Sequence, residues 1–162
     1  MNMQPDFVLV SRWHIGAPVQ AVWGALADPQ GWPLWWPYVR RVRLLRHGNA
    51  EDIGSLRRIE WGSALGYGIT LDVTTMRIVK PREIEGHAVG DLEGVGFWRV
   101  EADGDATRAT YRWAVNLRRP WMRRLLPLLR PVFAWNHHAV MRAGAHGLSC
   151  HLAAPLIACA AG

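Results

Sequence analysis

Apolar and polar positions alternate along most of this chain with a period of two, bracketed by two regions of helical period. The first strand is FVLVSRWHI, where Phe7, Leu9, Trp13 and Ile15 share one parity and Ser11 interrupts it. The stretch APVQAVWGALADPQGWPLWWPYV follows. Ala17 and Pro18 open a helix, with Pro18 suited to its first turn. Val19, Val22, Trp23 and Leu26 then fall at helical spacing. Asp28-Pro29 ends that helix, because a residue before proline is pushed out of helical torsions. Trp32, Pro33, Trp35, Trp36 and Pro37 make a second, short and stiff aromatic segment.

From Val39 to Leu117 the pattern predicts six strands: Val39–His47, Gly54–Trp61, Leu65–Val79, Glu83–Leu92, Gly96–Ala102 and Arg108–Leu117. Turn signals separate them, among them GSALG, KPR and ADGDAT. Tyr111, Trp113, Val115 and Leu117 give the clearest parity, with Arg112 and Asn116 on the opposite face. With the first strand, these predict a seven-stranded antiparallel sheet with one apolar face to cover.

The cover is a C-terminal helix from Pro120 to about Leu152. A wheel at about 100° per residue puts Trp121, Leu125, Leu128, Leu129, Val132, Ala139, Val140 and Ala143 in one sector. That sector is expected to face the sheet. Arg123, Arg130, His137, His138, Met141 and Arg142 fall on or toward the other side. Pro127 and Pro131 predict a bend or break between Arg124 and Val132. Residues 1–152 therefore read as one domain and residues 153–162, AAPLIACAAG, as an apolar tail that Pro155 separates from the helix.

A bent sheet and a single cylinder leave space between them. Gly86, Ala88 and Gly90 on one parity enlarge that space, and Tyr67, Trp98 and Trp113 on neighbouring strands wall it. An apolar pocket with a few polar groups is the usual form of a small-molecule site.

The chain resembles bacterial members of the START/Bet v 1-like (SRPBCC) superfamily, in the branch labelled polyketide cyclase/dehydrase-like. The resemblance rests on A-P-V-x-x-V-W from Ala17, followed by D-P-x-x-W-P-x-W-W-P from Asp28. It also rests on G-D-L-E-G at Gly90 to Gly94 and W-N-H at Trp135 to His137. It covers nearly the whole chain to about Leu152. It implies an α+β helix-grip fold: a curved seven-stranded antiparallel sheet wrapped around a long C-terminal helix, with two short helices after strand 1. The superfamily holds lipid carriers, hormone receptors, aromatase/cyclases and other binders. None of its catalytic signatures can be moved onto numbered positions here.

Composition narrows the partners. The chain has 162 residues, half of them hydrophobic and a fifth charged, which excludes wholesale disorder. The formal net charge is +6, and Lys80 is the only lysine. Arginines sit singly or in pairs along the whole chain, with no tract of five or more basic residues, so a focused nucleic-acid track is not expected. A passing contact with a membrane surface, through Trp35 or Trp36 beside Arg40 and Arg41, is weighed against a simpler reading in which Trp32–Tyr38 caps one end of the sheet. No apolar run reaches the roughly 18–20 residues of a membrane span. The opening MNMQPDF lacks the charged start and apolar centre of a secretory signal, and a cytoplasmic location is expected. Cys150 and Cys159 read as reduced thiols, and His146, Cys150 and His151 match no zinc spacing, so no metal or other cofactor is expected.

Asn136 is the most informative position, since the wheel sets it among apolar neighbours where a buried amide must be answered by protein, water or ligand. Arg57 shares the parity of Ile59 and Trp61; if they face inward it would bind a ligand carboxylate or an acidic neighbour, and the alternative is an outward salt-bridge ladder. His137 and His138 are expected to face solvent or the helix edge. The expected ligand-binding set is Tyr67, Ile69, Trp98, Trp113, Trp61, Val132, Trp135 and Asn136, with no catalytic residue assigned. The function expected is binding of a small hydrophobic molecule (lipid, aromatic or polyketide-like). The alternative is an aromatase/cyclase-type reaction on a poly-keto or aromatic substrate in the same cavity.

Overall fold

A computed structural model describes residues 4–162. The first three residues of the segment read for a leader lie outside the described residues. The chain runs β1 (Phe7–Ile15), α1 (Val19–Leu26), a 3-10 turn (Pro29–Gly31) and α2 (Trp32–Trp35). Strands β2 (Val39–Arg46), β3 (Leu56–Trp61), β4 (Ile69–Val79), β5 (Glu83–Gly90), β6 (Glu93–Asp103) and β7 (Ala106–Asn116) follow. Helices α3 (Pro120–Arg124) and α4 (Leu126–His151) come next, and β8 (Leu156–Ala161) closes the chain.

The expected α+β helix-grip architecture is present, with one correction: the sheet has eight strands, in the order β2-β3-β4-β5-β6-β7-β1-β8. The added strand is the apolar tail, which pairs antiparallel with β1 from Ser11 opposite Ala161 to Ile15 opposite Leu156. The tail lacks period-two alternation because nearly every residue in it is small or apolar. What it supplies is backbone, which satisfies the free edge of β1.

β1 alternates as its sequence requires: Phe7, Leu9, Ser11, Trp13 and Ile15 are all buried, so Ser11 holds its place in the inward row. Because β1 lies beside β7 while β2 forms the far edge, the α1–α2 connection crosses the open end of the sheet. There it forms a cap. Trp35 and Trp36 are both buried, at 6% and 2% exposure, which removes the reading in which one of them stands at a mouth or on a membrane.

The cap locks onto α4. The Trp36 indole N–H donates to the Val140 carbonyl at 2.9 Å. This approach requires glycine on the helix. A Cβ on Gly144 would run into the Trp36 ring, and one on Gly147 would overlap the Trp35 carbonyl oxygen.

The break expected between Arg124 and Val132 falls at Leu125, which leaves helical torsions at φ −89° and ψ 0°. Pro127 is then accommodated in the first turn of α4, where its missing N–H has no partner to lose. The expected rotation of α4 holds at Val140 but fails over the first half of the helix and at Met141. Trp121, Leu125, Leu128 and Val132 are exposed, while Val140, Met141, Gly144, Ala145 and Leu148 are buried. The first half of the helix is apolar on two sides, and a wheel cannot say which stripe is covered. The contact of Gly144 and Gly147 with the cap sets the rotation of the rod.

Candidate functional site

Between the sheet and α4 lies a cavity of about 370 Å3. That volume falls within the range of about 300–1,000 Å3 usual for small-molecule sites. Six of the eight expected site residues line it: Tyr67, Ile69, Trp98, Trp113, Trp61 and Asn136. Val132 and Trp135 do not. Both lie on the outer face of α4, at 42% and 56% exposure, for the reason of helix rotation given above. Their places on the helical wall are taken by Phe133, His137, Val140 and Met141.

Rings form much of the wall because strands with inward aromatic parity converge on it. Trp98 meets Trp13 at 4.9 Å and Tyr111 at 4.7 Å between ring centroids, and Tyr111 stacks on His137 at 6.1 Å. At the cap end Trp36 and Trp61 meet edge to face at 5.2 Å. Edge-to-face and tilted contacts between rigid rings hold a void open with little side-chain entropy to lose.

Small residues make the space. Gly86 and Ala88 line the cavity as expected, but Gly90 does not: it ends β5 opposite Leu71 and is exposed. Gly96, which opens a predicted strand but is not among the residues expected to make space, also lines the cavity; a Cβ there would lie 2.5 Å from the Tyr111 hydroxyl. Glycine at this position is what admits the phenol.

The polar groups of the cavity divide into those already engaged and those free. Arg57 is inward, as its parity allowed, and 8% exposed. Its guanidinium is held by protein: Nε donates to Gln30 Oε1 at 2.7 Å, Nη1 to Ser55 Oγ at 2.6 Å and Nη2 to Asp52 Oδ1 at 3.0 Å. On the other parity of β3, Arg58 pairs with Asp72 through two hydrogen bonds of 2.7 and 2.8 Å, as a surface ladder would. Asn136 is answered by protein too. Its Oδ1 accepts the Ala64 backbone N–H at 2.9 Å, which ties the β3–β4 loop to α4.

His137 is different. Its Nε2 is cut off from solvent and has no hydrogen-bond partner among the described residues. Burial, with His138 beside it, pushes the imidazole down to about 3, so the ring is neutral near pH 7. Burial also pushes the Tyr111 phenol up, so it stays protonated. The cavity wall is therefore apolar and includes, on α4, a neutral imidazole whose Nε2 is buried and unpaired among the described residues. The wheel had set His137 away from the sheet. The W-N-H motif carried the only sequence signal for it, and that signal named no direction.

Several solved structures share this fold. A protein from Thermus thermophilus superposes with a TM-score of 0.73 at 16% identity, covering 90% of this chain and 99% of its own. The Zhui aromatase/cyclase from Streptomyces sp. R1128 gives 0.70 at 18% identity, covering 91% of this chain and 94% of its own. A START superfamily protein from Mycobacterium smegmatis gives 0.72 at 15% identity, covering 91% and 98%. No curated protein matches the sequence. The model of one family, described as polyketide cyclase / dehydrase and lipid transport, matches residues 7–153. The chain, from its first strand to the end of its grip helix, belongs to that family.

Proposed function

We propose that this protein binds one small hydrophobic molecule, such as a lipid, an aromatic or a polyketide-like compound, in the cavity between the sheet and α4. The observation that carries this reading is the ring-walled cavity of about 370 Å3, whose arginine is already held by protein. An apolar ligand would displace poorly bound water there and leave no buried charge unpaired. His137 contributes a neutral ring to the wall, which keeps charge out of the ligand's surroundings. Tyr67, Ile69, Trp61, Trp98, Trp113 and Asn136 form the proposed contact set. The two free cysteines fit a cytoplasmic protein of this kind.

A second reading, an aromatase/cyclase-type reaction on a poly-keto substrate, is favoured by the same His137 and by the Tyr111 phenol nearby. That chemistry needs a proton acceptor matched to neutral pH. An imidazole held at about 3 is a weak one, so binding leads.

The test is a titration of the purified protein with a hydrophobic fluorescent probe, alongside native mass spectrometry for a co-purifying small molecule. One probe per chain is expected. Ala88→Leu fills the cavity from a buried strand position and should weaken probe binding about tenfold with the fold retained, a loss of about 1.4 kcal/mol. A folded wild-type protein that takes up no probe and carries no ligand would refute the cavity reading, as would an Ala88→Leu variant of unchanged affinity.

A further inference from the structure

We propose that the outer face of α3 and the first half of α4 docks on an anionic lipid bilayer. On α4, Leu128, Val132 and Trp135 recur at spacings of four and three residues and form one stripe, preceded in the chain by Trp121 of α3 and by Leu125 at the break. All five are exposed, Leu128 at 74% and the two tryptophans above 50%. Packing inside the chain gives this stripe no role, because the same helices turn Met122 and Phe133 inward to line the cavity. The segment is thus apolar on two sides and covered on one.

Charge identifies what covers the other. From Arg118 to the end of the chain there is no aspartate or glutamate, while Arg118, Arg119 and Arg124 sit at the N-terminal end of the stripe and Arg123 and Arg130 lie on the other side of the helices, all exposed. Arg118 reaches Glu93 and Arg123 reaches Asp6. Arg119, Arg124 and Arg130 make no ion pair among the described residues. Exposed tryptophan and leucine side chains with no carboxylate in their own segment, and with the guanidinium groups of Arg119 and Arg124 at one end, match the chemistry of a bilayer surface. Rings and leucines enter the acyl boundary while guanidinium groups meet lipid phosphates. A second copy of the chain fits less well, since a two-fold contact through this face would bring two sets of unpaired arginines together. Docking would lay the helical wall of the cavity against the phase in which apolar ligands dissolve. The stripe and its charge stand whether or not the cavity holds a ligand.

The test is co-sedimentation of the full chain with vesicles of phosphatidylglycerol and phosphatidylcholine, and with phosphatidylcholine alone. Binding is expected to the anionic vesicles, to fall with added salt, and to be weak on the neutral ones. Leu128→Asp and the double variant Arg119→Glu/Arg124→Glu should each lose at least about tenfold in vesicle affinity. Both should keep the melting temperature and the cavity-probe affinity of the parent, since all three positions are exposed. Wild-type protein that stays in the supernatant overturns the proposal. So does an apolar variant that sediments like the parent, which would leave only unspecific charge attraction. So does a parent that sediments as a dimer in the ultracentrifuge and that Leu128→Asp converts to a monomer without changing vesicle binding, which would make the face a protein interface.

Discussion

Burial keeps the His137 ring neutral inside the cavity wall, and that has a consequence for stability. The unfolded chain takes up a proton near pH 6.5, while the folded chain resists it down to about 3. Stability is therefore fully present above about pH 6.5 and is lost as pH falls from there toward 3, at up to about 1.4 kcal/mol per pH unit. His138, also shifted down by burial, adds in the same direction. Melting temperatures at pH 7, 6 and 5 should fall, and His137→Phe should fall less steeply over that window. Equal slopes in the two proteins would mean that the ring is reached by water and titrates normally. Arg57 behaves otherwise: its charge is buried, but with Gln30, Ser55 and Asp52 as partners it belongs to the wall and offers no donor that a ligand would have to compete for.

Among the elements, α4 carries the most information, because its rotation decides which side chains reach the cavity. Two glycines set that rotation. Gly147 lies under the Trp35 carbonyl with no space for a Cβ, and Gly144 lies under the Trp36 ring. Gly147→Ala should force the cap away from the helix and break the hydrogen bond from Trp36 to Val140. The expected loss is about 1–3 kcal/mol or more by denaturant melt, although alanine is the better helix former. A stabilised variant would show that the cap does not hold the rod. The same element explains why the apolar sector of the wheel pointed the wrong way over the first half of the helix. Leucine and tryptophan are denser on the outer stripe, and periodicity reports a stripe without reporting its partner.

For the whole molecule, the eighth strand closes one edge of the sheet, and the arginines of β2 stand on the opposite edge at Arg40, Arg41, Arg43 and Arg46. A chain ending after Ala154 would expose the edge of β1 from Ser11 to Ile15. Self-association of that truncated protein should rise with concentration in light scattering, while the full chain stays unchanged. A truncated protein as monomeric as its parent would make β8 dispensable. The pairing of β1 between β7 and β8 also shows why the two chain ends must be read together: the first strand has no partner adjacent in sequence on either side.

The order of elements up to the grip helix, the inward parity of β1 and β7, the helix break near Leu125 and the family were all legible in the chain. Each depends on local torsional preference or on a period that nearest neighbours impose. The direction faced by His137, the exposure of Val132 and Trp135, and the strand made by the tail were not. Each depends on a surface supplied by residues distant in sequence: the cap against Gly144 and Gly147, and the unpaired edge of β1 against Leu156–Ala161. Local pattern decides which elements form, because backbone and side-chain sterics act within a few residues. Which face of an element is covered is decided only when another element arrives to cover it.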